Sequence, residues 1–322
     1  GSGGAVAALS RAEQAGAASP RIVHVMLLTG PGSDFWLKGE QAAYIAAGAA
    51  PGTGPGYRHV TSVAEVRAAV AAAKAEGASG IKLHSGFTPD LVRAAAEAAR
   101  GEGLKVWSHG YLDGVRPSEI VEAGGAVLSH ADMLAYEGVD DLAALAGRPH
   151  VERTRSAMAA TPPDGPRLAS LFERMRTRGV FLEPTILVMG GPDGGPYIDW
   201  VAAATRQAHL RGVRLCVGAD ALGGSSPNIH AELQLLVDRV GLTPLEAITA
   251  ATRHGALALG LTDLGTLEPG KRADLVILTA DPARDIRNTQ TVWGVIKGGE
   301  LYERARPMPI PPGAKPPPTA GP

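Results

Sequence analysis

The chain is poor in several things that would each announce a function. Its 322 residues include a single cysteine, Cys216. No disulfide can form within the chain, and a zinc site built on several thiolates is excluded, so any bound metal must be held by histidine, carboxylate or a less usual ligand. Aromatic residues are only 4% of the total. No apolar run approaches the roughly 18 residues that a membrane-spanning helix requires. Neither charge dominates: 31 Lys and Arg face 32 Asp and Glu for a net charge of -1. Without a long basic run, nucleic acid and anionic membranes are not expected as partners. No Gly-x-Gly-x-x-Gly or P-loop follows any strand-like run, which weakens a nucleotide reading. No signal peptide is visible, and a cytoplasmic location is the default expectation.

What the chain does have is alternation. Short apolar runs, at Arg21–Leu28, Gly80–His84, Lys105–His109, Ala126–His130, Val180–Val188 and Arg214–Asp220, read as strands, and alanine-rich helical stretches separate them. Start signals mark the helices: Ser62 with Glu65 as a capping box, Thr88 before Pro89, and Thr243-Pro244 with Glu246. Ile229, Leu233, Leu236 and Val240 share one face of a helix over Asn228–Val240. Strands alternating with helices predict an α/β fold with a parallel sheet, buried on both sides, either open or closed into a barrel. After Leu261 the pattern changes to turn-separated strands at Leu264–Pro269, Gly270–Leu278 and Val292–Leu301, with Gly270 in a turn and Gly298-Gly299 at a hairpin corner. The tail begins at Arg306, where eight prolines in the last seventeen residues predict an extended segment without a fixed fold. The expected division is 1–262, 263–305 and 306–322.

Four strand candidates end in an ionisable residue: Lys82 (with His84 after it), His109, His130 and Asp220. The intervals of 27 residues from Lys82 to His109 and 21 from His109 to His130 each fit one helix and two loops. In a parallel barrel the C-terminal ends of the strands converge on one site. Imidazoles and a carboxylate there suit zinc or a similar divalent ion. A lysine ammonium has no lone pair to give a metal, and only carbamylation would make Lys82 an anionic oxygen ligand. Taken singly, each of these residues has a plainer reading: a strand-end lysine on the surface, histidines satisfied within the core, an aspartate capping the next segment. His84, on the same strand face as Lys82, Tyr111 and, early in its helix, His230 are candidates for substrate contact. Asp132 and Thr185 follow strands nearby, and the remaining histidines and Trp107 read as surface or packing residues.

The runs Gly80–His84, Gly103–His109 and Glu122–Asp132, the Val217-Gly218-Ala219-Asp220 ending, the Leu242–Gly260 helix and above all Leu264-Gly265-Thr266-Leu267-Glu268-Pro269-Gly270-Lys271-Arg272-Ala273-Asp274-Leu275-Val276 resemble the amidohydrolase superfamily. The likeness is closest to its imidazolonepropionase-like and prolidase-like members and extends over roughly 21–301. It implies a TIM-type (β/α)8 barrel, about six of whose eight strands lie in this chain, with a small C-terminal β-sandwich piece. It also implies roles: Lys82 as a carbamylated bridging ligand, His109 and His130 on one ion, and Asp220 on the other ion and as proton shuttle. The implied activity is metal-dependent hydrolysis of a C–N bond in an amide, cyclic amide or dipeptide-like small molecule, with zinc as the expected metal.

One departure matters. The superfamily opens with a His-x-His motif, and this sequence has none. The expectation is a piece of a longer protein, since a barrel short of two strands would expose unpaired edges and be unstable or associate, leaving a homo-oligomer open. The rival is a shortened, non-catalytic or single-metal relative that has lost the His-x-His position.

Overall fold

The computed structural model describes residues 4–16, 19–33, 45–46, 48–145, 147–190, 197–220 and 228–303. The proline-rich tail lies outside them. Helix α1 (Gly4–Gln14) leads to β1 (Val25–Thr29), β2 (Thr53–Gly54), β3 (Tyr57–His59), α2 (Val63–Ala75), β4 (Gly80–Leu83), α3 (Pro89–Gly101), β5 (Lys105–His109), α4 (Pro117–Ala123) and β6 (Val127–Ser129). After a 3-10 turn over Ala131–Gly138 come α5 (His150–Ala160), α6 (Pro166–Arg178), β7 (Phe181–Glu183), α7 (Ile186–Gly190), α8 (Ile198–Leu210) and α9 (Ile229–Leu235). The last elements are α10 (Pro244–Thr249), α11 (Gly255–Ala258) and strands β8 (Leu275–Leu278), β9 (Val292–Lys297) and β10 (Glu300–Glu303).

The main sheet has the order β2-β3-β1-β4-β5-β6-β7, parallel from β3 to β7. Its strands are covered on both faces: Met26 and Leu28 of β1, Ile81 and Leu83 of β4 and Leu128 of β6 on one face, and Val127 and Ser129 of β6 on the other, have no exposed surface. That is why they read as apolar runs. Helices cover the sheet through alanine-rich faces, Val66, Ala69, Val70 and Ala73 on α2 and Leu91, Val92, Ala95 and Ala99 on α3. Small side chains let neighbouring helices approach closely and still fill the space.

The start signals hold, with one change. Ser62 Oγ accepts the Glu65 N–H at 3.3 Å, but the Glu65 carboxylate turns back to the Thr61 N–H and hydroxyl instead of closing the box on Ser62. Thr88 caps α3, and Thr243 with Glu246 forms the full reciprocal box at α10. The helix expected over Asn228–Val240 runs as α9 followed by a π-helical turn over Leu236–Val240.

Five strand expectations are corrected, one of them Gly270–Leu278, which is a strand only from Leu275. The first strand starts at Val25, later than expected. The run Val180–Val188 is a strand only to Glu183, because Pro184 ends the ladder and Thr185, at φ 51°, turns the chain into α7. Arg214–Asp220 touches the sheet through one parallel bridge, Leu182 to Leu215, and does not extend further. Leu264–Pro269 is a succession of bends in which Gly265 packs against the Thr252 carbonyl. A strand not foreseen, β3, pairs with β1 on the side away from β4. The described part thus supplies six mutually parallel strands, the number expected, with a different member.

The C-terminal strands form a separate antiparallel sheet in the order β10-β9-β8. Gly298 and Gly299, both at positive φ, make the β9–β10 corner as expected. Lys297 pairs with Glu13 at 2.8 Å and Arg21 with Asp274 at 2.9 Å, tying this sheet to the segment that enters β1.

Candidate active site

Register decides which side chains meet. His109, Ser129 and Glu183 are direct partners across β5, β6 and β7, and two residues earlier Trp107, Val127 and Phe181 are partners in the same way. Because alternate residues share a face, these two rows form two layers on one side of the sheet. The layer nearer the strand starts is apolar, and Val127, Phe181 and Cys216 pack there together. Lys82 pairs with Trp107 in register, and its long side chain reaches up to the polar layer.

There Lys82 Nζ donates to Ser129 Oγ at 2.7 Å, and Ser129 Oγ donates to Glu183 Oε2 at 2.5 Å. Burial pushes the Lys82 ammonium down from its ordinary value, and the charges of Glu183 and Asp220 work in the opposite direction. The three imidazoles stack in sequence: His84 and His109 have ring centroids 4.2 Å apart, and His109 and His130 have theirs 4.6 Å apart, edge to face. Burial, reinforced by the neighbouring cations, holds His109 and His130 well below the ordinary histidine value and His84 at about 4. All three rings are therefore neutral at physiological pH. His130 Nδ1 shares a hydrogen bond with Thr185 Oγ1 at 2.8 Å, which fixes the ring and leaves Nε2 for another partner. Asp220 keeps part of its surface open to solvent, and partial desolvation raises its carboxyl, helped by the charge of Glu183, while Lys82 pulls it down.

The backbone is strained at this same end. Four described non-glycine residues have positive φ, and three of them are His130 (70°), Thr185 (51°) and Asp220 (42°). A β-branched residue there is a rare conformation, and such outliers concentrate where a site demands them. Gly218 is shaped by the site too: a Cβ at that position would stand 2.0 Å from Glu183 Oε1.

The profile of the Amidohydrolase family matches residues 43–301. The chain belongs to the amidohydrolase family. Among its relatives, the imidazolonepropionase of Pyrobaculum arsenaticum is 36% identical over 161 residues, 48% of this chain and 36% of that protein. The ochratoxinase of Aspergillus niger is 32% identical over 154 residues, 41% of this chain and 31% of its own length. Its crystal structure superimposes with a TM-score of 0.71 at 22% identity, covering 95% of this chain and 71% of that one, and a Xaa-Pro dipeptidase with methionine bound in its active site gives 0.66 at 25%, covering 94% and 73%. These neighbours establish the barrel fold with its separate small sheet. The matched stretches span about a third of the length of these two curated relatives.

The candidate residues of this family member are thus partly united. Lys82, His84, His109 and His130 converge, and Asp220 stands close enough to act electrostatically on Lys82. Tyr111 stacks flat on Tyr136 at 3.9 Å, and burial raises its hydroxyl to about 12. His230 turns to Thr289 at 3.0 Å, tying α9 to the segment before β9. Two members of the polar layer escaped sequence reasoning, Ser129 and Glu183; the available signal was a carboxylate inside an apolar run, in phase with the strand-end histidines. Glu232, fully buried, accepts the Ile186 and Leu187 N–H groups at 2.8 Å each and so holds the start of α7 in place; burial raises it to about 7.

The donors suit a divalent ion in type. His109 and His130 offer neutral imidazoles, and Asp220 a carboxylate. Lys82 is an ammonium committed to Ser129, so it becomes a ligand only if carbamylated. Among the described residues no group of three His, Cys, Asp or Glu side chains is arranged to hold an ion. Among them, too, no helix is long and apolar enough to cross a membrane.

Proposed function

We propose that this protein is a metal-dependent hydrolase that cleaves a C–N bond, in an amide, a cyclic amide or a dipeptide-like small molecule. The observation that carries the reading is the meeting of two neutral imidazoles, the half-buried His109 and the buried His130, with Lys82 and Asp220 at the C-terminal ends of the strands. Family membership supports it, as do relatives named as an imidazolonepropionase, an ochratoxinase and a Xaa-Pro dipeptidase.

His109, His130 and a carbamylated Lys82 would hold the ion, for which zinc fits the nitrogen and oxygen donors. Bound there, it would supply Lewis acidity towards a substrate carbonyl and a water molecule. Asp220 takes a proton from the attacking water and returns it to the leaving nitrogen, a task that suits a carboxyl raised above its ordinary range. Thr185 keeps the His130 ring in one orientation, and Ser129 and Glu183 fix where the end of Lys82 lies.

A second reading is favoured by the Lys82–Ser129–Glu183 chain itself. With Lys82 kept as an ammonium, no carbamate oxygen stands beside His109 and His130 to complete the ion's ligands, as in a single-ion or non-catalytic relative. Metal content separates the two. The expected result is bound zinc in the protein, lost in His109→Ala, together with added CO2 mass on Lys82 in native mass spectra. Ion content unchanged by His109→Ala would show the ligand assignment to be wrong; an ion held without the carbamate would favour the second reading.

A further inference from the structure

The opposite end of the strands carries a cavity of about 470 Å³, walled by the first residues of β5 and β7, the turn after α4, the end of α6 and α11. Three cations line it: Lys105, Arg178 and Arg214. Its apolar wall includes Val121, Phe181 and Leu257. The volume falls in the range of small-molecule sites.

The charge there is unbalanced. Glu122 pairs with Arg178 but is shared with Arg174 at 3.7 Å. Arg214 has no acidic partner among the described residues: its guanidinium lies over the Phe181 ring at 4.2 Å and donates to the Gly179 carbonyl at 2.9 Å, leaving further N–H groups uncommitted. The Lys105 ammonium makes no hydrogen bond or ion pair among the described residues. Two glycines keep room beside these cations. A Cβ at Gly179 would stand 3.0 Å from Arg214 Nη2, and one at Gly260 would stand 3.1 Å from Lys105 Cε.

We propose that this cavity binds a small organic carboxylate with a flat apolar body, at a site separate from the hydrolytic one. The carboxylate meets Lys105 and the open edge of Arg214, and the body lies against Val121 and Leu257. A guanidinium held flat on an aromatic ring presents its fork in a fixed plane, which matches a planar carboxylate. Phosphate fits less well, because phosphate cradles draw on free backbone N–H groups. Here the N–H groups of Gly124, Gly125, Gly179 and Val180 already donate to Val121, Ile120, Arg176 and Met175 carbonyls. The inference does not depend on the hydrolase reading, since none of its residues belongs to that site.

The test uses 4-fluorobenzoate as probe and follows its 19F resonance as the full chain is titrated, with 4-fluorobenzamide as the neutral counterpart and inorganic phosphate as competitor. Saturable binding of the carboxylate is expected, with the amide much weaker and phosphate displacing poorly. Lys105→Gln and Arg214→Gln should each weaken binding about tenfold, the scale of one charged hydrogen bond. Because Arg214 also packs on Phe181, Lys105→Gln, which removes no side-chain hydrogen bond or ion pair among the described residues, is the decisive variant. His109→Ala should leave binding unchanged. Binding lost in His109→Ala, equal binding of the amide, unchanged binding in Lys105→Gln, or no saturable binding would each overturn the proposal; so would displacement by phosphate at equal concentration.

Discussion

The two ends of β5, β6 and β7 are built from the same strands and differ in almost everything else. Two residues separate Trp107, Val127 and Phe181 from His109, Ser129 and Glu183, yet the first row is apolar and the second ionisable or hydroxylic. Positive φ at His130, Thr185 and Asp220 gathers at the second end. Burying ionisable groups and strained backbone costs free energy that the apolar rows beneath must offset. The comparison teaches a division of labour: the starts of the strands hold the barrel together, and their ends are free to carry chemistry.

That division can be broken by experiment. The largest effect is expected for Asp220→Asn. Asparagine is at ease at positive φ, so the fold and thermal midpoint should be kept, while hydrolysis of an amide substrate by the complete protein falls by about 10²–10⁴-fold. Steady-state rates on the variant check this, and retained activity would remove Asp220 from the proton transfer.

Next comes Asp132, just beyond β6, 1% exposed, with neither carboxylate oxygen hydrogen-bonded and its pKa raised by burial to about 7. The folded state holds this proton more tightly than the unfolded one, where the value is 3.8. Its contribution to stability is therefore greatest at low pH and declines as pH rises from about 4 through 7. Asp132→Asn removes that decline. The variant should gain on the order of 2–4 kcal/mol over the parent at pH 8 relative to pH 4, read from urea midpoints at the two values. An equal difference at both would mean that Asp132 does not titrate in this range. Gly218→Ala ranks third: a Cβ there drives Glu183 off Ser129, and a loss of about 1–3 kcal/mol is expected, with the rate falling alongside.

The sequence made this division partly legible. Lys82, His109 and His130 each close an apolar run, and the α/β alternation placed those closures on one face. What could not be read was where pairing stops. The apolar run Val180–Val188 fits strand and helix alike, and Pro184 with Thr185 divides it. Arg214–Asp220 has strand composition, yet Gly218 lies against the Glu183 side chain and the ladder ends at Leu215. The three-residue β3 carries too little pattern to register. Ser129 and Glu183 were hidden for another reason. Their partners lie 47 and 54 residues away in sequence, so their roles exist only once the strands are in register.

The smallest effect is expected at the start of the strands. Phe181 lies one layer beneath Glu183 on β7, packed with Val127, Cys216 and Ala258 under the Arg214 guanidinium. Phe181→Leu keeps an apolar side chain but leaves part of the ring's volume empty, and a loss of about 1 kcal/mol follows. Pro184 and Thr185 still turn the chain, and Ser129 still joins Lys82 to Glu183, so nothing in the polar layer loses a partner. The rate should stay within about twofold of the parent, less than 0.5 kcal/mol in the barrier. Paired melting and rate measurements on Phe181→Leu and Asp220→Asn should therefore give opposite patterns, one lowering stability and the other lowering rate. A rate loss in Phe181→Leu approaching that of Asp220→Asn would mean that the apolar layer sets the geometry of the ionisable one, and the two ends would then have to be treated as a single unit.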